Sequence, residues 1–490
     1  MPRNPKRILV VYYSEEGVER MRLSIKHHLH VLNYCEIPHD VVYLNVYEGP
    51  LSEIEDDPQE PPIWATEKPF DVVLLHNTLF CLRWTGSYFY RIKKRLDWIR
   101  RLNCLKIAIP QDEGDHAELL DEWLFDWGIS AIFSIHQPEG TGPLYPVMRD
   151  KAKFYGVLPG YIDDEIASDV AQKILPISKR NVDIVYRARR LPYWFGVAGQ
   201  IKHQIADVVS SRGRIQGLRC DISTQPEDVI LGNSWLEFLA SSRGVIGSEG
   251  GSNVIDWRGE VQTQINAFLE GQPDLTYEEI SAKMPQDWDS YTFLTITPRN
   301  FEAVITKTCQ LLIEGQYKGI LEPNVHYIPL KKDFSNLDDA LEMLKDDNLV
   351  ESIVEQAYQD IYINGQYTYR RLAALIEQAI YDPALPYSFG DQMKQIAEID
   401  NPSAILERQL VAERHAKELL NAKLKISEHQ NLQLQQENSQ LRNVISSPVV
   451  RWGLRLLKKP LLSSGLVAAM MGIVILLGIA FSVLYTMFLN

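Results

Sequence analysis

Residues 291–312, YTFLTITPRNFEAVITKTCQLL, contain the change of pattern that decides the fold. An apolar run rich in β-branched residues ends before Pro298, a helix-like stretch begins with Phe301, and a second apolar run starts at Cys309. Strand-like runs that alternate with helix-like stretches are typical of parallel sheets covered by helices on both faces. The stretch therefore predicts an α/β fold, with Glu302 placed where a strand gives way to a helix.

The same alternation extends along the chain from residue 7 to residue 380. The predicted strands cover residues 7–13, 39–46, 71–77, 105–112, 130–136, 182–188, 214–222, 242–250, 291–297, 309–315 and 325–330. They form two sets of roughly 150 to 200 residues each, which is the size of a single domain. We therefore expect two Rossmann-like domains with a boundary near residues 155–180.

Composition excludes several classes of protein. The chain has 490 residues and a formal net charge of −14, which disfavours a nucleic-acid-binding body. Its five cysteines lie far apart without a CxxC pair, so we expect buried free thiols in a reducing compartment rather than disulfides or a zinc site. The dinucleotide fingerprint GxGxxG is absent after the first strand and no Walker motif occurs, which disfavours dehydrogenases, epimerases and NTPases.

The C-terminal segment has a membrane-like pattern. No charged residue occurs from Leu461 to Asn490, and an apolar stretch of about 25 residues is long enough to span a bilayer. A core helix is disfavoured because such helices are rarely apolar on every face. Basic residues precede the span, namely Arg451, Arg455, Lys458 and Lys459. By the positive-inside rule, the sequence predicts a single-pass anchor in the inner (cytoplasmic) membrane and a body in the cytoplasm.

Residues 403–446 show a heptad-like spacing of apolar residues. The repeated apolar positions are Leu406, Leu410, Leu420, Leu424, Leu434, Leu441 and Ile445. The same spacing also selects polar residues, among them Asn431 and Asn438, and paired Asn at core positions favours a parallel dimer. We predict a coiled coil that forms a homodimer, with a single exposed helix as the alternative.

Ligands of open α/β sheets bind beyond the carboxyl ends of the strands, and four stretches place polar groups there. These groups are Arg187, Arg189, Arg190 and Lys202 after one strand, Glu249 in a Gly/Ser turn, Arg299 with Glu302, and Glu314, Tyr317 and His326. Clustered arginines suit a diphosphate, because guanidinium groups bind phosphate oxygens in pairs. The alternatives are that the arginines are solvated surface charge, that the Gly/Ser segment is only a tight turn, and that His326 has a structural role.

Four stretches, VYRARRLPYWFG, GSEGGSNVIDWRGE, PRNFEAV and HYIPLKKDFSNLDDAL, resemble the donor-binding half of GT-B-fold glycosyltransferases. The resemblance is to bacterial proteins of the glycosyltransferase family 1 type and covers residues 180–375. It implies a GT-B-like pair of Rossmann-like domains and a nucleotide-sugar as substrate, with no bound metal or other cofactor. It also implies that Glu302 holds the ribose hydroxyls, while Glu249 holds a donor hydroxyl. Arg189 and Lys202 match the pair that faces the diphosphate, with Arg187, Arg299 and His326 also on the donor side.

The first domain would bind the acceptor. His76, Asp112 and Glu113 lie at the ends of predicted strands, and if the enzyme inverts they are candidates for the base that removes a proton from the acceptor hydroxyl. The alternative for such residues is that they cap the next helix.

These observations predict a membrane-anchored glycosyltransferase, of hexosyltransferase type, that acts on a surface glycan or lipid-linked acceptor. Lys307, near a position that is usually Gly in the family, favours the alternative of a catalytically degenerate dimeric membrane scaffold. The expected organisation is an acceptor domain (1–170), a donor domain (171–380), a linker (381–402), a coiled coil (403–446), a basic juxtamembrane segment (447–460) and a transmembrane helix (461–489).

Overall fold

The computed structural model describes residues 3–47, 60–136 and 143–385, which lie within one compact unit. The strands are β1 Arg7–Tyr12, β2 Asp40–Asn45, β3 Val72–Leu75, β4 Leu105–Ala108, β5 Ala131–Ser134, β6 Lys153–Gly156, β7 Val182–Arg187, β8 Cys220–Ser223, β9 Ser242–Gly247, β10 Gly250–Ser252, β11 Phe293–Thr295, β12 Cys309–Ile313 and β13 Ile328–Leu330.

The α-helices alternate with these strands. They are α1 Leu23–Leu29, α2 Ile63–Thr66, α3 Asn77–Phe80, α4 Ser87–Arg95, α5 Asp97–Arg100, α6 Ala117–Asp126, α7 Asp164–Ala171, α8 Val197–Ile215, α9 Ser234–Ala240, α10 Glu260–Gly271, α11 Tyr277–Ser281, α12 Pro298–Ile305, α13 Leu337–Lys345, α14 Asp347–Ala357 and α15 Tyr369–Ile380.

Two parallel sheets organise the described residues. The first has the order β2-β1-β3-β4-β5-β6 and the second has the order β13-β12-β9-β7-β8. The predicted α/β class with parallel sheets is therefore confirmed. Each sheet is buried on both faces, and β1 illustrates this because Leu9 and Val11 belong to one apolar cluster while Ile8 and Val10 belong to another. Burial on both faces explains why these strands appear as continuous apolar runs.

Two predicted strands differ from the structure, and the observed strand β6 was not predicted. The run 214–222 is divided, since α8 continues to Ile215 and β8 begins only at Cys220. The run 291–297 forms β11, which pairs antiparallel with β10 rather than joining the parallel sheet. Strand β6 was not predicted, because KFYG is short and only Tyr155 in it is buried. An edge strand with a single buried side chain leaves little periodic signal in a sequence.

The part of the chain built on the first sheet is here called the first domain, and the part built on the second sheet is called the second domain. The chain crosses between them twice, and the crossings lie side by side. Ile162 forms a parallel bridge with Thr368, in which the Ile162 N–H donates to Tyr367 O at 2.8 Å and the Tyr369 N–H donates to Ile162 O at 2.9 Å. After the second crossing, α15 packs on the first sheet, where Leu372 and neighbouring residues join the cluster of β1. The range predicted for the second domain, 171–380, thus ends in a helix that packs on the first.

A second connection between the domains, here called the latch, joins residues 114–118 to residues 254–258. The Asp256 N–H donates to Gly114 O at 2.8 Å, and the N–H groups of Ala117 and Glu118 donate to Asp256 O and Trp257 O at 3.0 Å each. Arg258 Nε also donates to Glu118 Oε2 at 3.0 Å. Because α6 begins at Ala117, the second domain supplies acceptors for N–H groups that a helix start leaves unpaired.

No helix in residues 3–47, 60–136 and 143–385 combines the length and apolar character needed to cross a bilayer. The predicted linker beyond residue 385, the coiled coil (403–446), the basic segment (447–460) and the transmembrane helix (461–489) lie outside the described residues.

Candidate functional site

A cleft with a volume of about 600 Å³ lies between the carboxyl ends of the two parallel sheets. The first domain contributes Arg22 at the start of α1 and Asp112 in the loop after β4. The second domain contributes the loops after β7 and β9 and the start of α12. The topology alone explains this position, because parallel strands of two facing sheets direct their carboxyl ends toward a shared crevice.

Five cations line the cleft, namely Arg22, Arg187, Arg189, Lys202 and Arg299, and Arg187 among them is paired with Asp221. Burial lowers the pKa of Arg22, and the charges of Arg189 and Arg299 lower it further. Burial, followed by the charge of Arg299, likewise lowers the pKa of Lys202 to about 8. Neighbouring cations repel one another, and a bound anion would relieve that repulsion.

Arg299 is held by groups of the second domain and leaves one donor unused. Its Cζ lies 5.0 Å from the ring centroid of Tyr186 and 5.3 Å from that of Trp235. Its Nη2 donates to Arg187 O at 2.6 Å. Within the described residues its buried Nε has no hydrogen-bond acceptor. A buried guanidinium N–H without an acceptor is costly.

Glu302 faces the same cleft from the second turn of α12. The helix begins at Pro298, three residues earlier than the sequence predicted, and Thr297 caps it in a capping box with Asn300. Glu302 therefore does not cap this helix. Its Oε2 accepts a hydrogen bond from Trp235 Nε1 at 2.7 Å. Burial raises the pKa of Glu302, while Trp235, Arg299 and Arg22 act in the opposite direction.

Asp112 is the member of the predicted catalytic group that lines the cleft. Its backbone adopts a left-handed conformation with φ 49°, and its carbonyl accepts from Arg83 Nη2 at 2.6 Å. The buried Arg83 also donates to Gln111 O and Asp115 O and so fixes the loop. Burial raises the pKa of the Asp112 carboxyl, which brings this pKa closer to that of a useful base.

Glu113 and His76 do not line the cleft. Glu113 is buried in the first domain, where it accepts hydrogen bonds from Ser134 Oγ, the Ile135 N–H at 2.9 Å and the Tyr145 hydroxyl; burial raises its pKa to about 7. His76 Nε2 lies 2.9 Å from His28 Nδ1 in a buried pair. The ring of His76 also accepts from the backbone of α3, and burial holds its pKa well below the usual value.

Three residues predicted on the donor side have their side chains engaged elsewhere. Arg187 Nη2 pairs with Asp221 Oδ1 at 2.8 Å, and its guanidinium lies 4.5 Å from the ring centroid of Phe238. Glu249 accepts from the Tyr317 N–H at 2.8 Å. His326 pairs with Asp360 at 3.1 Å and accepts from the Glu322 N–H. Of these three, only Arg187 is among the residues lining the cleft, where its carbonyl holds Arg299.

Lys307 follows the end of α12 and does not line the cleft. Its Nζ lies 2.5 Å from Glu355 Oε2 and 4.4 Å from the ring centroid of Tyr358. Its φ of 48° is in the left-handed region that favours glycine. The Lys307 side chain therefore lies beside α14 and leaves the cleft open.

The cleft residues that sequence reasoning missed include Arg22 and Trp235. Arg22 lies in GVERMRLS, which contains no recognisable motif, and Trp235 is the second residue of α9. The only signal in the sequence was their position, because Arg22 immediately precedes α1 and Trp235 lies in the first turn of α9.

One group of potential metal ligands occurs in the described residues. Ligand atoms of Cys35, His39 and Glu377 lie within 4.8 Å of one another, outside the cleft lining. However, His39 Nδ1 accepts from the Lys6 N–H at 3.2 Å. A neutral ring in this tautomer carries its proton on Nε2, the atom that faces Glu377 at 3.5 Å. The arrangement fits a buried His–Glu contact better than metal coordination.

No protein-family model and no curated protein sequence matches the chain. Among solved structures, an α1,3-fucosyltransferase is 9% identical with a TM-score of 0.37, covering 79% of this chain and 92% of that one. Sucrose-phosphate synthase from Thermosynechococcus elongatus is 10% identical with a TM-score of 0.42, covering 76% and 98%. AviGT4, a glycosyltransferase involved in avilamycin A biosynthesis, is 12% identical with a TM-score of 0.39, covering 77% and 97%. Because these identities and TM-scores are low, we infer the function from the cleft itself.

Proposed function

We propose that this protein is a glycosyltransferase that binds a nucleoside-diphosphate sugar in the cleft and transfers the sugar to an acceptor held by the first domain. The observation that carries this proposal is the convergence of Arg22, Arg189, Lys202 and Arg299 beside Glu302 at the facing ends of two parallel sheets.

The charges of the cleft match a diphosphate. Arg189, Lys202 and Arg299 belong to the second domain, and Arg22 faces them from the first. When the bond from the sugar to the diphosphate breaks, negative charge develops on the leaving oxygen, and cations fixed beforehand stabilise that charge.

The two carboxylates of the cleft have different proposed roles. Glu302 accepts a hydrogen bond from a donor hydroxyl, since carboxylates are strong acceptors in partly buried sites. In a direct displacement, Asp112 takes the proton of the acceptor hydroxyl as that oxygen attacks the anomeric carbon. The bond between the anomeric carbon and the diphosphate oxygen breaks in the same step, and the diphosphate leaves with its electron pair.

The C-terminal sequence supports a more specific proposal. An apolar segment at 461–489 with basic residues before it fits an anchor that holds the enzyme at the inner membrane. Surface glycans and lipid-linked sugars are acceptors that would be available there, and the heptad-like segment at 403–446 would pair two chains. Membrane fractionation of the full chain, compared with a chain that ends before residue 447, tests the anchor.

The donor site is tested by binding of uridine, guanosine, adenosine and thymidine diphosphate sugars to the full chain, followed by calorimetry and thermal shift. We expect one class to bind, and Arg299→Ala and Glu302→Ala each to weaken it at least about tenfold. Arg190→Ala is the matched control, because Arg190 pairs with Asp207 at 3.0 Å and does not line the cleft. Absence of binding, or equal binding by the cleft variants, would overturn the proposal.

Turnover distinguishes enzyme from scaffold. A glycosyltransferase should release nucleoside diphosphate from the donor that it binds, and Asp112→Asn should reduce this release while leaving donor affinity nearly unchanged. Nucleotide binding without any release in the presence of membrane extracts would favour the degenerate scaffold.

A further inference from the structure

Trp235 contacts two groups of the proposed donor site at the same time. Its Nε1 donates to Glu302 Oε2 at 2.7 Å, and its ring centroid lies 5.3 Å from Cζ of Arg299. The indole is 8% exposed and lines the cleft. One side chain of α9 thus links an acceptor and a donor of the site, both of which belong to α12.

The Trp235 hydrogen bond makes the two oxygens of Glu302 unequal. Oε2 accepts the indole N–H, whereas Oε1 has no donor within the described residues. An engaged oxygen retains limited capacity for a second donor, so the free oxygen is the better acceptor for a ligand hydroxyl. The indole also favours the ionised carboxylate, opposing the rise in the pKa of Glu302 that burial causes.

The same ring helps to fix the direction of Arg299. The guanidinium lies near the ring of Tyr186 as well as that of Trp235, and its Nη2 is held by the Arg187 carbonyl. Phe238 in turn packs against Trp235 with ring centroids 5.7 Å apart. Contacts with aromatic faces restrict a guanidinium without consuming its N–H donors, which remain available for phosphate oxygens.

We propose that Trp235 is a positioning residue of the donor site: its N–H orients Glu302 so that one oxygen accepts a hydroxyl of the nucleoside, and its ring holds Arg299 toward the diphosphate. This inference rests on the proposed donor site. It assigns two separable functions to one side chain, and each function has its own ligand probe. A nucleoside diphosphate uses both functions, whereas inorganic pyrophosphate uses only the ring.

Two substitutions separate the functions. Trp235→Phe keeps a flat ring beside Arg299 and removes the N–H, so we expect about tenfold weaker binding of the nucleoside diphosphate and unchanged binding of pyrophosphate. Trp235→Leu removes both features and should weaken both probes. Trp288→Phe is the matched control, because Trp288 Nε1 donates to Ser281 Oγ at 3.1 Å and does not line the cleft; it should leave both probes unchanged.

A pH profile provides a readout that a general packing defect would not move. Loss of the indole N–H disfavours the ionised form of Glu302, so the acidic limb of nucleoside diphosphate binding should move to higher pH in Trp235→Phe. Pyrophosphate binding should show no such movement.

The outcomes distinguish this inference from the proposed function. If the wild-type chain binds neither probe, the proposed donor site fails. If the wild-type chain binds both, Arg299→Ala weakens both, and Trp235→Phe behaves as the wild type with an unmoved acidic limb, the donor site stands and the inference about Trp235 is overturned. Equal losses for both probes in Trp235→Phe would also overturn it, since they would indicate a packing role alone.

Discussion

Among the cations of the cleft, Lys202 is the one with a pKa near neutral pH. Burial and the neighbouring Arg299 lower its pKa to about 8, and Asp112 opposes this shift in part. The amine is therefore charged below about pH 8 and neutral above it, whereas guanidinium groups remain charged throughout. The terminal phosphate of a nucleoside diphosphate, with a pKa near 6, is already ionised in this range.

The resulting prediction is that affinity for a nucleoside diphosphate falls as pH rises from 7 to 9, by about three- to tenfold. The loss occurs on the alkaline side because the deprotonated amine no longer attracts the phosphate. Calorimetry at pH 7, 8 and 9 measures it. Lys202→Arg should bind with little dependence on pH over this range, and a drop of equal size in that variant would show that another group is responsible.

Neighbouring residues at a strand end can differ in orientation, and this limited what the sequence predicted at the residue scale. Asp112 and Glu113 both follow β4, yet Asp112 lines the cleft while Glu113 is buried against Ser134 and Tyr145. The alternation of strands located the correct edge of the sheet, but side-chain direction depends on local φ and on partners far along the chain. Trp235 reaches Glu302 across 67 residues, and no local pattern encodes that contact.

At the scale of elements, β10 and β11 form a small antiparallel pair at the cleft. The sequence predicted β11 from its apolar run, but its partner GGS has no strand-like character. The pairing depends on backbone shape, because Gly251 has φ 110° and an added Cβ would lie 1.9 Å from Phe293 O. Only glycine fits there without moving one of the two strands.

Gly251→Ala should therefore destabilise the fold by at least about 2 kcal/mol, since it combines an unfavourable φ with a backbone clash. Denaturant unfolding of the full chain measures the change. Gly271→Ala is the control: Gly271 ends α10 and an added Cβ meets no heavy atom within 4 Å. That variant should be neutral or stabilised by up to about 1 kcal/mol. Similar unfolding of the two variants would contradict the steric explanation.

At the scale of the whole molecule, the latch holds the two domains together beside the cleft. Arg258 pairs with Glu118 at 3.0 Å and with Glu122 at 2.5 Å, with all three side chains about one-third exposed or slightly more. Such exposure limits each pair to roughly 0.5–1 kcal/mol. The backbone hydrogen bonds of Ala117 and Glu118 to the second domain lie beside these ion pairs.

We expect Arg258→Ala to increase hydrogen exchange at the amides of Ala117 and Glu118 by about two- to fivefold, while amides of β1 keep their protection. Exchange measured by mass spectrometry on the full chain tests this. Arg212→Ala removes an ion pair with Asp338 that lies within the second domain. It should leave the latch amides unchanged, and a rise there would show that the effect is not specific to the latch.

Two parallel sheets covered by helices were predictable from the alternation of strands and helices, but the return of α15 to the first sheet was not. An amphipathic helix shows which of its faces is buried and not which sheet covers it. In the structure, Leu372 and Ile376 of α15 join the cluster that contains Ile8 and Val10. This choice of partner is set by tertiary packing between the two ends of the described chain.

The return of α15 makes the second domain an insertion in the first. The chain enters it and leaves it through two adjacent segments joined at Ile162 and Thr368, so the joint is double-stranded. Leu385, the last described residue, is buried in the core of the first domain. A pulling force on the chain beyond this point would therefore act on the first domain. A C-terminal tether would restrain the proposed acceptor domain, and the donor domain would be attached through its joint and latch.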